Sequence, residues 1–372
     1  MAGLQIKAGM TFFQRGKTRA KSSDQAKRAV GFFASLTFFA GFLTLAVLPT
    51  PYLIERAGPT YDVLGEVSGE PVIDITGIQT YESEGELEIL TVSIVGSPER
   101  TPNWLEVFGA WLDGSQKVVP VELLYPKDRT TEEVRSESSA MMEVSQQEAI
   151  AAALNHLGYE TPRQVYIAEV VADAAASGKL VAADFVTSIN GEVITDVEQL
   201  KSIVTSWDEG QPLEVVVDRG GREVTAQVSP IKDAEGNFRL GILVGYKYDF
   251  PVDVKLQLGE VGGPSGGMMF ALGIIDRLTP GNLTGGLHVA GTGTIADSGE
   301  VGPIGGVVQK LYGAKRAGAT VFLAPADNCE EIVGNVPSGL RVVKIEKLQD
   351  ALDALEKLSA DEQVKSLPSC TD

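Results

Sequence analysis

Chemistry in this sequence concentrates in a glycine-rich turn that holds one serine, and in a later helix that holds two lysines. Gly262-Gly263-Pro264-Ser265-Gly266-Gly267 follows a strand-like segment, Val252–Leu258, and precedes an apolar run, Met268 to Leu278, with the composition of a helix. This order puts the Ser265 hydroxyl on a tight turn at a helix start. The free N–H groups of that turn, Gly263 through Pro264 and Ser265 to Gly266, are then expected to face a developing oxyanion. A serine needs a base to become a nucleophile. The chain has two histidines, His156 and His288, so the other candidate base is a lysine that burial keeps neutral. In the helix expected after Gly306, Lys310 shares a column with Val307, Ala314 and Ala317. Lys315 has an equally apolar column in Val308, Leu311 and Gly318, so spacing alone leaves both open.

Gly263-x-Ser265-x-Gly267 also fits the nucleophile elbow of α/β-hydrolases, which needs an acid and then a histidine downstream. His288 comes 23 residues on, inside the strand-like Leu287–Thr292, an order that does not suit the elbow. A Ser265–His288 esterase nevertheless stands as a rival reading. Cys329 and Cys370, 41 positions apart, fit neither a zinc cluster nor a CxxC redox motif. They could form one disulfide that ties down the C-terminal tail, or remain two thiols.

Other elements must position these groups. Short apolar runs broken by Gly, Ser and Pro make residues 51–125 a β-rich segment. Ser145-Gln-Gln-Glu148 reads as a capping box in front of a helix at Ala149–Leu157. From Gln164 the pattern is strand, small-residue loop, strand, an Asn190-Gly191 turn, a helix over Val197–Trp207, and a hairpin at Gly220-Gly221. Ala174–Leu180, Ala183-Asp184-Phe185, Ser188-Ile189-Asn190-Gly191 and Val215–Arg219 make residues 126–245 resemble a PDZ domain. The resemblance implies a peptide added as a strand at an edge, here expected at Val165, Tyr166 and Ile167 facing the helix at Val197–Val204. Thr161-Pro162-Arg163-Gln164 would stand where the carboxylate loop usually has glycine, so an internal or extended segment is the expected ligand.

Downstream, several motifs occur in one order: Gly263-Pro264-Ser265-Gly266-Gly267, Thr292-Gly293, Pro303-Ile304-Gly305-Gly306 with Lys310 four residues later, Ala314-x-Arg316-Ala317-Gly318, and Val321–Pro325. Residues 246–350 thereby resemble the proteolytic domain of the Lon protease family. The resemblance implies a Ser–Lys dyad of Ser265 and Lys310, with Thr292 orienting the lysine. Gly263 and Thr294 stand where that family usually has acids. It also implies serine endopeptidase activity on proteins or peptides and assembly into a homo-oligomer, with no cofactor and no metal. A catalytically silent PDZ adaptor is the rival from a different class.

Fifty acidic against 31 basic residues give a formal charge of −19, which argues against nucleic acid as a partner. The charge is unevenly placed. Residues 1–28 carry seven bases against one acid, and the rest of the chain is correspondingly more acidic. Ala29 to Leu48 is free of charge and, at 1.5 Å per residue, about 30 Å long as a helix, enough to span a bilayer. With bases before it, the span predicts a cytoplasmic N-terminus and an extracytoplasmic remainder; a cleaved signal peptide is the alternative. The sequence has no G-x-x-x-x-G-K-[ST] phosphate loop, so no ATP is expected. Anchor, PDZ and proteolytic segments in this order resemble the membrane-bound PDZ–Lon-like proteases of Gram-positive and actinobacterial cells. The expected fold is α+β and multidomain: a basic tail (1–28), a transmembrane helix (29–50), a β-rich segment (51–125), a PDZ-like domain (126–245), a Lon-type α/β domain (246–350) and a C-terminal helix and tail (351–372).

Overall fold

A computed structural model of the chain describes residues 19–126, 129–233, 235–259, 261–360 and 366–370. Residues 1–18 of the expected basic tail lie outside them. Helix α1 (Arg19–Val47) covers the predicted span as far as Val47, and none of the apolar stretch Lys27–Val47 is buried against the rest of the molecule. It is long and apolar enough to cross a membrane, and it ends before Pro49 and Pro51, which cannot continue a helix.

Strand β1 (Tyr52–Asp62) follows at once. After it come β2 (Ile73–Thr76), β3 (Glu86–Val95), helix α2 (Trp104–Leu112) and β4 (Lys117–Pro120). β1 pairs antiparallel with both β3 and β4, and the β1–β3 register shifts between Ala57 and Thr60, where Gly58 and Pro59 interrupt the ladder. Helix α3 (Thr131–His156) then begins at a Thr130–Glu133 capping box, well before the predicted start. Ser145 is therefore a buried mid-helix residue, not a cap. Every residue from Ala149 to Leu154 is buried, because α3 is covered on two sides: Ala149, Ile150 and Ala152–Leu154 join the main core, while Ala151 joins the core of the next unit.

That unit comprises β5 (Arg163–Val170), β6 (Phe185–Ile189), α4 (Val197–Thr205), β7 (Leu213–Asp218), β8 (Glu223–Val228) and β9 (Ile242–Tyr248), with its sheet in the order β8–β7–β6–β5–β9. Val165, Tyr166 and Ile167 lie on β5, which is flanked on both sides: Tyr166 pairs with Phe185 of β6, Ile167 bonds to Ala183 and Asp184 just before β6, and β9 pairs along its length. The expected peptide edge is therefore corrected. β9 closes the sheet after a 13-residue excursion from β8, which pairing rules applied to 164–228 alone do not reveal. β9 is the edge strand, and the turn before it does carry glycine, Gly241 at φ +72°.

The chain then returns to the first unit through β10 (Asp253–Leu256), which pairs with β2, and continues as α5 (Gly267–Leu278), β11 (His288–Gly291), β12 (Thr294–Ile295), β13 (Val301–Gly302), α6 (Val307–Ala317), β14 (Val321–Pro325), β15 (Arg341–Ile345) and α7 (Leu348–Ser359). One six-stranded sheet, ordered β15–β14–β11–β3–β1–β4, contains strands from both ends of the chain. Residues 51–125 are consequently not a separate β-rich segment. β11 lies parallel to both β3 and β14, so the N-terminal hairpin and the C-terminal α/β half share one sheet and one core, with the PDZ-like unit inserted between them. A Cys329–Cys370 disulfide, the first of the two arrangements left open for this pair, holds residue 370 against a second apolar cluster formed by α6 and β14.

Candidate active site

The turn Gly262–Gly266 leads into α5, which is buried on all sides from Gly267 to Asp276. Gly263 has φ +84°, a conformation that costs a residue with a Cβ, and its N–H donates to the Ser138 carbonyl on α3 at 2.8 Å. Gly267 is required by space, since a Cβ there would stand 2.9 Å from Ile295 and from Ser145 Oγ. The Ser145 hydroxyl donates to the Pro264 carbonyl at 3.0 Å. The Ser138 carbonyl and the Ser145 hydroxyl on α3 thus hold the two residues that precede Ser265. No spacing rule marks them, because only the folded chain brings α3 to this turn.

Lys310 sits on α6 in the first turn after Gly306, packed where that helix crosses β1 and β3. It is 2% exposed, whereas Lys315 is exposed to solvent, so packing decides between the two lysines. Lys310 Nζ is 2.7 Å from Ser265 Oγ and 2.9 Å from Thr292 Oγ1. Burial pulls the amine down to about 7, within reach of a neutral base. When it is neutral, the Ser265 hydroxyl donates to the Nζ lone pair and an Nζ–H donates to Thr292 Oγ1. The Thr292 hydroxyl in turn donates to the Ser265 carbonyl at 2.9 Å, and the Gly293 N–H donates to the same oxygen at 2.9 Å. Serine, lysine and threonine therefore form a closed ring of hydrogen bonds.

If Ser265 and Lys310 act as nucleophile and base, this ring would give Thr292 the task of holding Nζ. Thr292→Val keeps the shape and removes the acceptor for Nζ, a bond worth about 1.5–3 kcal/mol if it is charge-assisted in the transition state. The expected result is a fall in kcat of about 10- to 100-fold with KM little changed, measured by steady-state cleavage of a peptide.

The expected oxyanion donors need correction at two positions. Pro264 has no N–H, and the Gly263 N–H is committed to Ser138. The Ser265 and Gly266 N–H groups are the two left to fill that expectation, at the positive end of α5. Another positioning residue, Asn328, is 2% exposed and clamps the loop before α6: Ile304 N–H donates to its Oδ1 and its Nδ2 donates to the Ile304 carbonyl, both at 2.9 Å.

A cavity of about 530 Å³ opens over Ser265 and Lys310, walled by Ile89–Ser93 of β3, Pro59 and Tyr61 of β1, and Met142 of α3. His288 does not line it. That imidazole lies between Glu86 and Glu88 on the neighbouring strand, with Nδ1 3.1 Å from Glu86 and Nε2 3.4 Å from Glu88. Ser265 and Lys310 are brought together; Ser265 and His288 are not.

A second groove of about 230 Å³ runs between α4 and the edge strand β9, lined by Leu200, Val204, Phe238, Gly241, Ile242 and Val244. Helix α3 touches both sites, because Val144 packs on Gly245 of β9 while Ser138 and Ser145 hold the serine turn. Arg163 of β5 makes a further link, pairing with Asp196 at the start of α4 and with Asp297 between β12 and β13.

Residues 248–357 match the C-terminal proteolytic domain of the Lon protease (S16) family, and residues 135–229 match the PDZ domain family. The PDZ match stops short of the edge strand β9 and begins inside α3. "Lon protease 2" of Herpetosiphon aurantiacus is 38% identical over 121 residues, and "Lon protease 1" of Bacillus subtilis is 36% identical over 110 residues. The matched segments cover 31% and 29% of this chain, but only 14% of each of those proteins. Among solved structures, the PDZ domain of the SdrC-like protein from Listeria innocua is 26% identical, covering 22% of this chain and 92% of that one with a TM-score of 0.21. Residues 248–357 of this chain are thus similar to the C-terminal proteolytic domain of the Lon protease family, and residues 135–229 to the PDZ domain family.

Proposed function

We propose that this protein is a membrane-anchored serine endopeptidase that cleaves unfolded or flexible extracytoplasmic proteins without ATP, with Ser265 as nucleophile and Lys310 as general base. The observation that carries this reading is the 2.7 Å approach of a buried lysine amine to Ser265 Oγ at a helix start. Attack of Oγ on a peptide carbonyl transfers the serine proton to Nζ. The oxyanion is held by the Ser265 and Gly266 N–H groups, and the ammonium returns its proton to the leaving amine. Water then repeats the sequence on the acyl-enzyme. Thr292 keeps Nζ aimed at Oγ throughout.

The groove beside β9 offers an extended peptide a strand partner and apolar side-chain sites, which suits substrate recognition by the PDZ domain. The helix Lys27–Val47 would be the anchor, with the basic N-terminal residues on the cytoplasmic side. Self-association into a ring is a further part of the reading.

The test is reaction of the full chain with a serine-directed fluorophosphonate, followed by mapping of the adduct, alongside cleavage of a permanently unfolded protein in ATP-free buffer. A stoichiometric adduct on Ser265 and cleavage, both retained in His288→Gln, are expected. An unlabelled and inactive chain would leave the silent adaptor, and activity lost in His288→Gln would favour the esterase.

A further inference from the structure

Helix α2 lies outside the catalytic and peptide-binding sites. Its sequence, WLEVFGAWL, is apolar nearly all round. Val107 and Ala110 face inward onto Ile54 of β1, with Tyr52, Val95 and Val118 packed around them. The opposite side presents Trp104, Phe108, Trp111 and Leu112 to solvent, between 37% and 75% exposed. The one charged residue of the helix, Glu106, has its carboxylate committed to the N-cap, where it accepts the Asn103 N–H at 2.8 Å. A soluble surface does not normally leave two tryptophans, a phenylalanine and a leucine together on one helix face.

The place of this face is set by the end of α1. A single residue, Leu48, separates Val47 from Pro49, and Pro49 forms a β-bridge to Asn103, the N-cap of α2. Beside it Thr50, 4% exposed, donates its N–H and its hydroxyl to the Pro102 carbonyl at 3.0 and 2.9 Å. The helices α1 and α2 touch. On the far side of the same tie, the Val121 N–H donates to the Pro51 carbonyl, next to the exposed Leu123. If α1 crosses a bilayer, α2 has no room to stand away from it: its first turn is pinned where the span emerges. Tryptophans at that level, with an apolar body and a polar N–H, have the chemistry of residues at the lipid–water interface.

We infer that α2 is a membrane-docking helix, whose Trp104, Phe108, Trp111 and Leu112 face is embedded in the outer interface of the bilayer that α1 spans. The inference rests on the proposed anchoring of the chain by α1. Docking at a second point holds the proteolytic domain in one orientation on the lipid surface, where a single span with a free linker would let it tumble.

The chain has three tryptophans, Trp104, Trp111 and Trp207, and none lies within α1, so indole emission can report on α2. The full chain with Trp207→Phe is reconstituted into phosphatidylcholine vesicles, with and without bromine on the upper acyl chain, and examined by flotation and fluorescence. Flotation with the vesicles, a blue-shifted emission and loss of most of it in the brominated lipid are expected, and Phe108→Ser with Leu112→Ser should restore much of the lost signal. A chain that floats but keeps its full emission in brominated lipid overturns the docking and leaves the anchor intact. Should that emission be blue-shifted as well, a second copy of the chain covers the face instead. A chain that does not float overturns both docking and anchoring.

Discussion

Lys310→Met should abolish peptide-bond cleavage and at the same time make the protein more stable. Loss of a general base alone costs about 10²–10⁴-fold in rate, and in a serine enzyme the hydroxyl has no other route to activation, so the upper part of that range is expected. Among the described residues, Lys310 is the titratable group that lines the cavity with Ser265, apart from the phenol of Tyr61. Ser265→Ala should lose as much, and the double variant no more than either single one, because nucleophile and base act as a unit. Lys310→Arg should be equally inactive, since a guanidinium stays charged and cannot accept the proton.

The stability gain has a separate cause. Burial lowers the amine from 10.5 to about 7, so folding a protonated Lys310 is unfavourable whenever the solution is more acidic than the unfolded value. Between about pH 7 and 10.5 the unfolded chain binds the extra proton, and wild-type stability rises with pH across that window. The cost is present in full below pH 7. Methionine removes it and leaves Ser265 and Thr292 short of one partner, for a net gain of about 2 kcal/mol near pH 6.5 that fades toward pH 10.5. Denaturant unfolding of the variant and wild type at both pH values checks this. Equal inactivity with no stability gain would mean that Lys310 is not desolvated.

The second large effect is on the pH profile. If neutral Lys310 is the base, kcat/KM for a neutral peptide rises with pH, reaches half its plateau near pH 7, and falls about tenfold per unit below that. At pH 5 the loss is about 100-fold. A histidine base would also titrate near neutrality, so the His288→Gln variant must keep the same profile. Thr292→Val provides a further control: without the acceptor on Nζ the protonated form loses a hydrogen bond, and the midpoint should move down. A flat profile from pH 5 to 9 would exclude a lysine that titrates in this range.

The motifs around the site were legible because each has a local cause. A glycine at φ +84° before a serine, a second glycine at a helix start, and a left-handed Gly306 before a helix are backbone requirements that leave marks in the chain. The PDZ-like strands and the helix at Val197 were legible from alternation and periodicity in the same way. The edge strand was not. Ile242–Tyr248 joins the sheet after the last hairpin, next to a strand that local pattern makes look like the edge. Ser138 and Ser145 were equally hidden, since a serine in mid-helix usually means an exposed polar residue, and here the groups they bond, the Gly263 N–H and the Pro264 carbonyl, lie beyond the inserted PDZ-like unit.

The serine turn, the candidate lysines, the apolar helix near the N-terminus and the two kinds of domain are readable from the chain because each depends on residues close together in it. Which lysine meets the serine follows from packing, since two equal columns on one helix differ only in what covers them. The tertiary structure also decided that residues 51–125 belong to the catalytic sheet, because strand order is a long-range choice: β11 pairs with β3 some 200 positions earlier, as His288 does with Glu86. The same is true of α2. Its apolar composition is plain in the sequence, but the ties from Pro49 to Asn103 and from Thr50 to Pro102 are what place it at the end of α1.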